Sequence, residues 1–170
     1  DLLAERSRSF SHGDTERWDQ ILAPVVALGG AAIPLIAGLD ERFGWSGAFD
    51  VPVKAVTLAL ILAGYALGTC ALIANRYFSG TVRIQTERGH VVVSSGPYRF
   101  VRHPGYAGSL VTYLAIPLFL DTAWGLIPAA VLAAALVLRT GLEDRTLRAK
   151  LPGYDEYARR VRYRLVPGVW

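Results

Sequence analysis

The stretch AVTLALILAGYALGTCALIAN, from Ala55 to Asn75, contains no charged side chain over 21 residues. A helix of this length rises about 32 Å at about 1.5 Å per residue, close to the roughly 30 Å hydrocarbon thickness of a bilayer. Three more uncharged blocks of comparable length occur along the chain: Ile21–Leu39, Pro104–Leu120 and Thr122–Leu138. Because a buried helix of a soluble protein rarely needs so long a run without a charge, the sequence predicts four membrane spans.

The uncharged blocks also predict how the chain is organised. We expect the spans at about residues 19–39, 54–75, 105–120 and 122–139. The third and fourth spans form a helical hairpin around Asp121–Gly125, and Pro34 is expected to kink or end the first span. The fourth helix continues past Leu138 as Arg139–Lys150, and a short helix follows at Asp155–Arg162. The predicted fold class is all-α: a polytopic integral membrane protein with one domain over residues 1–170.

Lysine and arginine are distributed unevenly around the four blocks. Of the 18 such residues, only Arg42 and Lys54 fall between the first two blocks, and none falls between the last two. Because positive residues accumulate on the cytoplasmic side of membrane proteins, we expect both termini and residues 76–104 to face the cytoplasm, in a bacterial or archaeal inner membrane. The net charge of +4 is then explained by anionic headgroups, and no nucleic-acid partner is expected.

The cysteine content bears on disulfides and metal sites, and the first residues bear on what precedes Asp1. The single cysteine, Cys70, lies inside the second span, so the sequence predicts neither a disulfide nor a thiolate metal cluster, and no metal site is expected. The chain begins at Asp1 without a methionine, and Leu2–Arg8 resembles the middle of a cytoplasmic segment. Further residues, or further spans, are therefore expected before Asp1.

Polar residues typical of a functional site concentrate in three segments outside the spans. These segments are QTERGHVVV at 85–93, which contains a β-like run at His90–Ser94, GPYRFVRHPGY at 96–106, and RTGLED at 139–144 with Tyr154 and Tyr157 beyond it. We expect residues 1–75 to hold a polar leader and two spans, and residues 76–170 to hold the functional part.

Arg139 and Glu143 are one helical turn apart, so they share one face of the fourth helix. On a soluble helix this spacing describes an ion pair worth about 0.2–0.5 kcal/mol. At the end of a membrane span, charged residues are instead functional candidates. Arg102 and His103-Pro104, taken singly, are equally consistent with a headgroup anchor and an ordinary helix start.

Together the three segments resemble the isoprenylcysteine carboxyl methyltransferase family and its phospholipid N-methyltransferase relatives. Residues 96–106 look like the family's G-x-Y-x-x-x-R-H-P-x-Y signature, and residues 85–93 resemble its cofactor-binding lead-in. The Arg139-x-x-x-Glu143 pair resembles the family's C-terminal motif, although Asp144 stands where a second glutamate is common. The resemblance covers roughly residues 76–170.

The resemblance implies binding of S-adenosylmethionine, with S-adenosylhomocysteine as product. It implies a cofactor site closed by Glu143 and lined by Gln85, His90, Val91, Val92, Val93, Tyr98, His103, Pro104, Gly105 and Tyr106. Arg139 is expected to meet the methyl acceptor, because its planar fork suits a carboxylate. The expected partners are membrane lipids and a hydrophobic acceptor that enters sideways between helices.

Several alternatives remain open at the level of sequence. The acceptor could be the carboxylate of a prenylcysteine-like compound or the amine of a phospholipid. Membrane sterol reductases share a related C-terminal half but bind NADPH, so they form a second class. A non-enzymatic membrane scaffold that keeps the fold is a third. No glycine-rich dinucleotide fingerprint follows a strand pattern, which disfavours the usual soluble methyltransferase fold.

Overall fold

The computed structural model describes residues 15–170, so the predicted mid-chain segment Leu2–Arg8 lies outside the described residues. Over 15–170 the chain is helical, and this range contains no β-strand. Five α-helices follow one another: α1 (Asp19–Phe43), α2 (Val51–Ala74), α3 (Pro104–Phe119), α4 (Leu126–Lys150) and α5 (Tyr154–Arg160). The all-α prediction is confirmed. The predicted β-like run His90–Ser94 does not form a strand, because no second strand exists within residues 15–170 with which it could pair.

Three helices, α1, α2 and α4, are long and apolar enough to cross a membrane. The third predicted span, α3, has 16 residues, which corresponds to about 24 Å and is short for a straight crossing. It packs most extensively against α2, and it also contacts α4 and α1. The structure therefore supports three full-length spans and one shorter helix packed among them, rather than four equal spans.

Two predicted helix ends differ from those in the structure. Of the two outcomes expected at Pro34, a kink or an end of the helix, the end is excluded, because the first helix continues to Phe43 and stops where Gly44 adopts a left-handed backbone with φ of 65°. Its last turns are retained because the buried carboxylate of Asp40 accepts hydrogen bonds from Ser46 and Thr122. The C-terminal helix α5 starts one residue before, and ends two residues before, the predicted 155–162.

The end of the bundle that carries the α3–α4 turn, called here the hairpin end, is fixed by two carboxylates. Asp121 pairs with Lys54 at the start of α2 and accepts the backbone N–H of Phe49 at 2.8 Å. Asp40 joins the loop after α1 to Thr122 in the α3–α4 turn. These contacts hold the helices together at the hairpin end. At the other end of the bundle, α2, α3 and α4 also lie close together, and the polar segments of the sequence meet there.

Helices α2 and α3 are antiparallel and in close contact. A Cβ atom added at Gly64 would lie 2.6 Å from the carbonyl oxygen of Gly108, and one added at Gly108 would lie 2.4 Å from that of Gly64. Only glycine permits this separation, because any side chain would overlap the neighbouring backbone. The close approach brings the start of α3 beside the end of α2, next to the segment 75–93.

Candidate functional site

A cavity of about 260 Å³, called here the main cavity, lies between the polar ends of α3 and α4, the segment 75–93 and helix α5. Ten of the sequence-predicted site residues line it: His90, Val91, Val92, Val93, Tyr98, His103, Gly105, Tyr106, Arg139 and Glu143. The structure therefore brings together residues from all three segments singled out in the sequence.

Two predicted site residues are not part of this lining. Gln85 is buried, its side-chain amide donates to the carbonyl of Tyr77 at 2.7 Å, and its amide oxygen accepts from Arg88. Pro104 is also buried, as the first residue of α3, where a missing N–H costs little. Both residues shape the segments that carry the lining residues.

His90 is a neutral hydrogen-bond donor at this site. Its Nδ1 accepts the backbone N–H of Gln85 at 3.3 Å, so the proton of the neutral ring lies on Nε2. Burial, together with the nearby charges of Arg83 and Arg88, lowers the pKa of His90 to about 4. The ring lies 4.3 Å from that of Tyr77, centroid to centroid, which fixes its orientation.

Tyr98 is held from two sides. Its hydroxyl accepts a hydrogen bond from Asn75 at 3.3 Å, and its backbone carbonyl accepts the hydroxyl of Tyr157 at 2.8 Å. Burial raises the pKa of Tyr98 to about 12, so the phenol stays neutral at physiological pH. Tyr157 was seen in the sequence only as part of a family-like pattern, and it positions the ring through α5.

Glu143 is the carboxylate that lines the main cavity. The hydroxyl of Tyr106 donates to its Oε2 at 2.7 Å, which orients the carboxylate. The ring of Tyr106 stacks on His103 with centroids 5.9 Å apart and planes within 12°. Glu143, Tyr106 and His103 thus form one side of the cavity.

Arg139 lines the same cavity, but its guanidinium group is paired with Asp19, which the sequence did not single out. Its Nε and Nη2 contact the two carboxylate oxygens of Asp19 at 2.6 and 2.9 Å, and Nη2 also donates to the carbonyl of Gly80 at 2.6 Å. The bidentate contact that Arg139 was expected to make with the acceptor is therefore made with Asp19 inside the protein. Arg139 and Glu143 contact different partners, so they do not form the i,i+4 ion pair of a surface helix.

Asp19 itself is fully buried and fixes part of the cavity lining. Its Oδ2 also accepts the backbone N–H of Val82 at 2.6 Å, within the segment 79–83 that lines the main cavity. A carboxylate at the first turn of a predicted span is a signal for this role, because charges at such positions need a specific partner.

Asp144 is a second buried carboxylate that sequence reasoning did not select. It accepts two hydrogen bonds from Arg102, at 2.7 and 3.1 Å, and further ones from Tyr154 at 3.1 Å and Arg164 at 3.0 Å. Burial opposes its ionisation, but hydrogen bonds from His103 and Arg102 outweigh this and hold the pKa of Asp144 well below its usual range. Arg102 is buried, so its reading as a headgroup anchor is wrong.

One buried hydroxyl of the lining lacks a hydrogen-bond partner among residues 15–170. The hydroxyl of Thr81 is buried at the main cavity and forms no hydrogen bond within the described part of the chain. A buried polar group without a partner costs about 1–3 kcal/mol, so such groups are usually satisfied by water or a ligand. Thr81 therefore marks a position where a bound molecule can donate or accept a hydrogen bond.

A second opening, called here the lateral cleft, lies between α2 and α3 and has a volume of about 240 Å³. It shares Phe78, Gly105 and Ser109 with the main cavity. The cleft lies at the level of the apolar helices, whereas the main cavity lies at their polar end. The two cavities therefore adjoin each other at these three residues.

Comparisons with known proteins identify similar sequences. The sequence profile of the isoprenylcysteine carboxyl methyltransferase family matches residues 55–149. A probable protein-S-isoprenylcysteine O-methyltransferase of Oryza sativa is 32% identical over 117 residues, which cover 64% of the chain and 59% of that relative. The cobalt-zinc-cadmium resistance protein CzcN of Cupriavidus metallidurans is 35% identical over 128 residues, covering 69% of the chain and 51% of the relative. The chain thus spans between half and three fifths of these relatives.

A solved structure gives the same fold. The structure of the eukaryotic intramembrane Ras methyltransferase, an isoprenylcysteine carboxyl methyltransferase, superposes with a TM-score of 0.64 at 19% sequence identity. The match covers 86% of this chain and 53% of that one. The arrangement of apolar helices is therefore that of an integral membrane protein.

Proposed function

The chain belongs to the isoprenylcysteine carboxyl methyltransferase family, and we propose that it transfers a methyl group from S-adenosylmethionine to a lipid-like acceptor. One observation carries this proposal: the main cavity gathers residues from all three motif segments and adjoins a cleft between apolar helices. The prenylcysteine-like carboxylate is our first candidate for the acceptor, and a phospholipid amine is the alternative. In this proposal residues 1–170 act as one domain in a bacterial or archaeal inner membrane.

The lining of the main cavity fits S-adenosylmethionine. When bound, this cofactor supplies an electrophilic methyl group on a sulfonium, beside an α-ammonium and a carboxylate. The carboxylate of Glu143 pairs with a cationic group of such a ligand, and the rings of Tyr98 and Tyr106 favour a cation over their faces. Nε2–H of His90 and the unpartnered hydroxyl of Thr81 supply hydrogen bonds to its polar ends.

The protein contributes by positioning and by excluding water. Transfer to a carboxylate forms one oxygen–carbon bond, breaks one carbon–sulfur bond and leaves the electron pair on sulfur, so no proton has to move. Val91, Val92 and Val93 give that step an apolar surrounding, and alignment of the two reactants lowers its barrier. An amine acceptor would first lose a proton, and Glu143 or His103 is then the available base.

Arg139 has a different role from the one the resemblance suggested. Because Asp19 and Gly80 occupy its Nε and Nη2, we assign it to holding the cavity lining, with only Nη1 left for an acceptor. The acceptor is then oriented mainly by the lateral cleft through which it enters. The acceptor is thus aligned by the shape of the cleft and by hydrogen bonds, and not by a bidentate salt bridge to Arg139.

The proposal is tested first by ligand binding. Calorimetry on the purified protein in nanodiscs is expected to show binding of S-adenosylhomocysteine and S-adenosylmethionine, and none of NADPH. The reason is that the cavity offers a carboxylate and aromatic rings for a cationic ligand. Binding of NADPH alone would establish the reductase alternative, and binding of neither class would favour the scaffold.

The role of Glu143 is tested by a neutral replacement. Glu143→Gln is expected to weaken S-adenosylmethionine binding about ten- to a hundredfold, because it removes one charge-assisted contact of about 1.5–3 kcal/mol. The matched control is Glu156→Gln on the exposed face of α5, which should bind as wild type does. Equal dissociation constants for all three proteins would remove Glu143 from the cofactor site.

The orientation in the membrane is tested by cysteine labelling, with Cys70 replaced by serine. Both Ala48, at the hairpin end, and Ser94, beside the main cavity, are exposed. We expect a membrane-impermeant reagent to label Ala48→Cys in intact cells, and Ser94→Cys only after the cells are opened, as the lysine and arginine pattern predicts. The reverse labelling pattern would place the main cavity on the outer side.

A further inference from the structure

The chain that follows α5, called here the C-terminal tail, lies beside the residues that precede α3. The backbone N–H groups of Arg102 and His103 donate to the carbonyls of Tyr163 and Arg164, each at 2.9 Å. The tail then turns back on itself, because the N–H of Arg164 donates to the carbonyl of Trp170 at 2.8 Å. These bonds give the tail a fixed place at the polar end of the bundle.

The tail and the segment beside it carry positive charges that the protein does not neutralise. Residues 157–170 contain four arginines and no aspartate or glutamate. Two arginines of this region are paired, because Asp144 accepts hydrogen bonds from Arg102 and Arg164. Four others are exposed, and their side chains form neither an ion pair nor a hydrogen bond among residues 15–170: Arg99, Arg159, Arg160 and Arg162. Glu156 precedes three of them on α5 but pairs with none.

Exposed apolar side chains accompany these arginines. Phe100 is 64% exposed, and the guanidinium carbon of Arg99 lies 5.8 Å from the centre of its ring. In the tail, Val169 is 79% exposed, and Tyr163 and Val166 are also open to the surroundings. Arginines combined with exposed aromatic and aliphatic side chains are typical of segments that lie in the membrane interface, where both kinds of group find a partner.

The tail lies at the level where the apolar helices end. His103, whose N–H is bonded to the tail, directly precedes Pro104, the first residue of α3. The end of α2 is close by, since a Cβ added at Gly105 would lie 4.0 Å from that of Ala71. The headgroup region extends about 5–8 Å beyond the hydrocarbon on each side of a bilayer. The tail is therefore placed to meet lipid headgroups.

We propose that Arg99, Phe100 and the C-terminal tail form a docking surface for anionic phospholipids of the surrounding membrane. The planar fork of an arginine matches the oxygens of a lipid phosphate, while Phe100 and the exposed valines enter the interface between headgroups and acyl chains. A zwitterionic lipid carries the same phosphate beside a cation, so its attraction to the arginines is weaker. The docking needs neither a cofactor nor a methyl acceptor, so it stands apart from the proposed function.

The test counts the lipids that stay bound to the purified protein. Native mass spectrometry after release from membranes of equal phosphatidylglycerol and phosphatidylcholine is expected to show about three- to tenfold enrichment of the anionic lipid. The enrichment should fall when the protein is washed at about 1 M instead of about 0.1 M salt, because exposed charges are then screened. Equal retention of the two lipids would overturn the proposal.

Paired substitutions assign the enrichment to the tail. Arg160→Gln with Arg162→Gln is expected to lower it at least twofold, because two unpaired charges are lost. The matched control is Arg148→Gln with Lys150→Gln, which removes two charges from the same end of the bundle that already pair with carboxylates. The control should keep the wild-type enrichment. An equal loss in both double variants would make the enrichment a property of net charge and refute the assignment.

The apolar part of the surface is tested by its depth in the membrane. A bimane label on Phe100→Cys, with Cys70 replaced by serine, is expected to lose fluorescence in nanodiscs whose acyl chains are brominated. The same labelled protein in nanodiscs without bromine is the control. Equal fluorescence in the two kinds of nanodisc would show that Phe100 stays in water, and the docking surface would then be rejected.

Discussion

Asp144→Ala is expected to lower the free energy of unfolding by about 3–5 kcal/mol, enough to prevent folding in a marginally stable membrane protein. The carboxylate of Asp144 is fully buried and pairs with Arg102 at 2.7 Å. Removing it leaves the buried guanidinium of Arg102 without its counter-charge, and an unpaired buried charge is far more costly than the pair. Thermal denaturation in detergent, followed by tryptophan fluorescence, measures the loss.

The control for this prediction lies eleven residues further along the chain. Asp155 pairs with Arg148 at 2.9 Å, but both side chains are largely exposed, so Asp155→Asn should cost less than about 1 kcal/mol. Equal effects of the two substitutions would show that burial does not decide the contribution of Asp144. The buried pair also holds the C-terminal tail, since Arg102 donates to the carbonyls of Val161 and Arg162.

The pH dependence of this contribution follows from the lowered pKa of Asp144. A carboxylate whose pKa is lower in the folded than in the unfolded protein stabilises the fold at any pH above its unfolded value, about 3.9. The contribution is lost only as the pH falls below that value towards the folded pKa. The difference between wild type and Asp144→Ala should therefore be the same at pH 6 and pH 8.

Asp19→Ala and Arg139→Ala are each expected to destabilise the protein by about 3–5 kcal/mol, and the double variant by clearly less than the sum. The two side chains form a bidentate pair in which Asp19 is fully buried. Either single change leaves one buried charge unpaired, and the double change removes both charges together. A double-mutant cycle on thermal stability measures the coupling. Arg17→Gln, at an exposed position close to Asp19 in the chain, serves as the control.

Arg139→Lys distinguishes this role from direct acceptor binding. If Arg139 only oriented the acceptor, the lysine variant would keep wild-type stability and cofactor affinity while turnover fell. In the structure its guanidinium contacts Asp19 through two atoms and also donates to the carbonyl of Gly80, and a lysine cannot reproduce that geometry. We therefore expect lower thermal stability together with lower turnover. Full stability with reduced turnover would return Arg139 to the role that the family resemblance suggested.

The sequence was a sound guide to the lining of the main cavity. The matched motif named His90, Tyr98, His103, Tyr106 and Glu143, and all of them line one cavity. These residues meet because the segments that hold them lie at the same end of helices built from the long uncharged blocks. Once the blocks pack as a bundle, the polar segments at their ends have to meet.

The sequence was a poorer guide to which charges pair. Asp19 and Arg139 are 120 positions apart, and Arg102 and Asp144 are 42 apart. No local pattern links residues at such distances. The spacing of Arg139 and Glu143 pointed instead to a shared role on one helix face, and the structure gives each a separate partner.

By itself, the sequence determined that the chain is helical, that it contains helices long and apolar enough to cross a membrane, and ten of the residues that line the main cavity. These properties depend on hydropathy and on short-range spacing, which can be read along the chain. Only the tertiary structure decided that Asp19 pairs with Arg139, that Asp144 joins the C-terminal tail to Arg102, and that Gly64 and Gly108 bring α2 and α3 into close contact. Such contacts arise when helices pack in one register, and the free energy that selects a register is shared among many residues far apart in sequence.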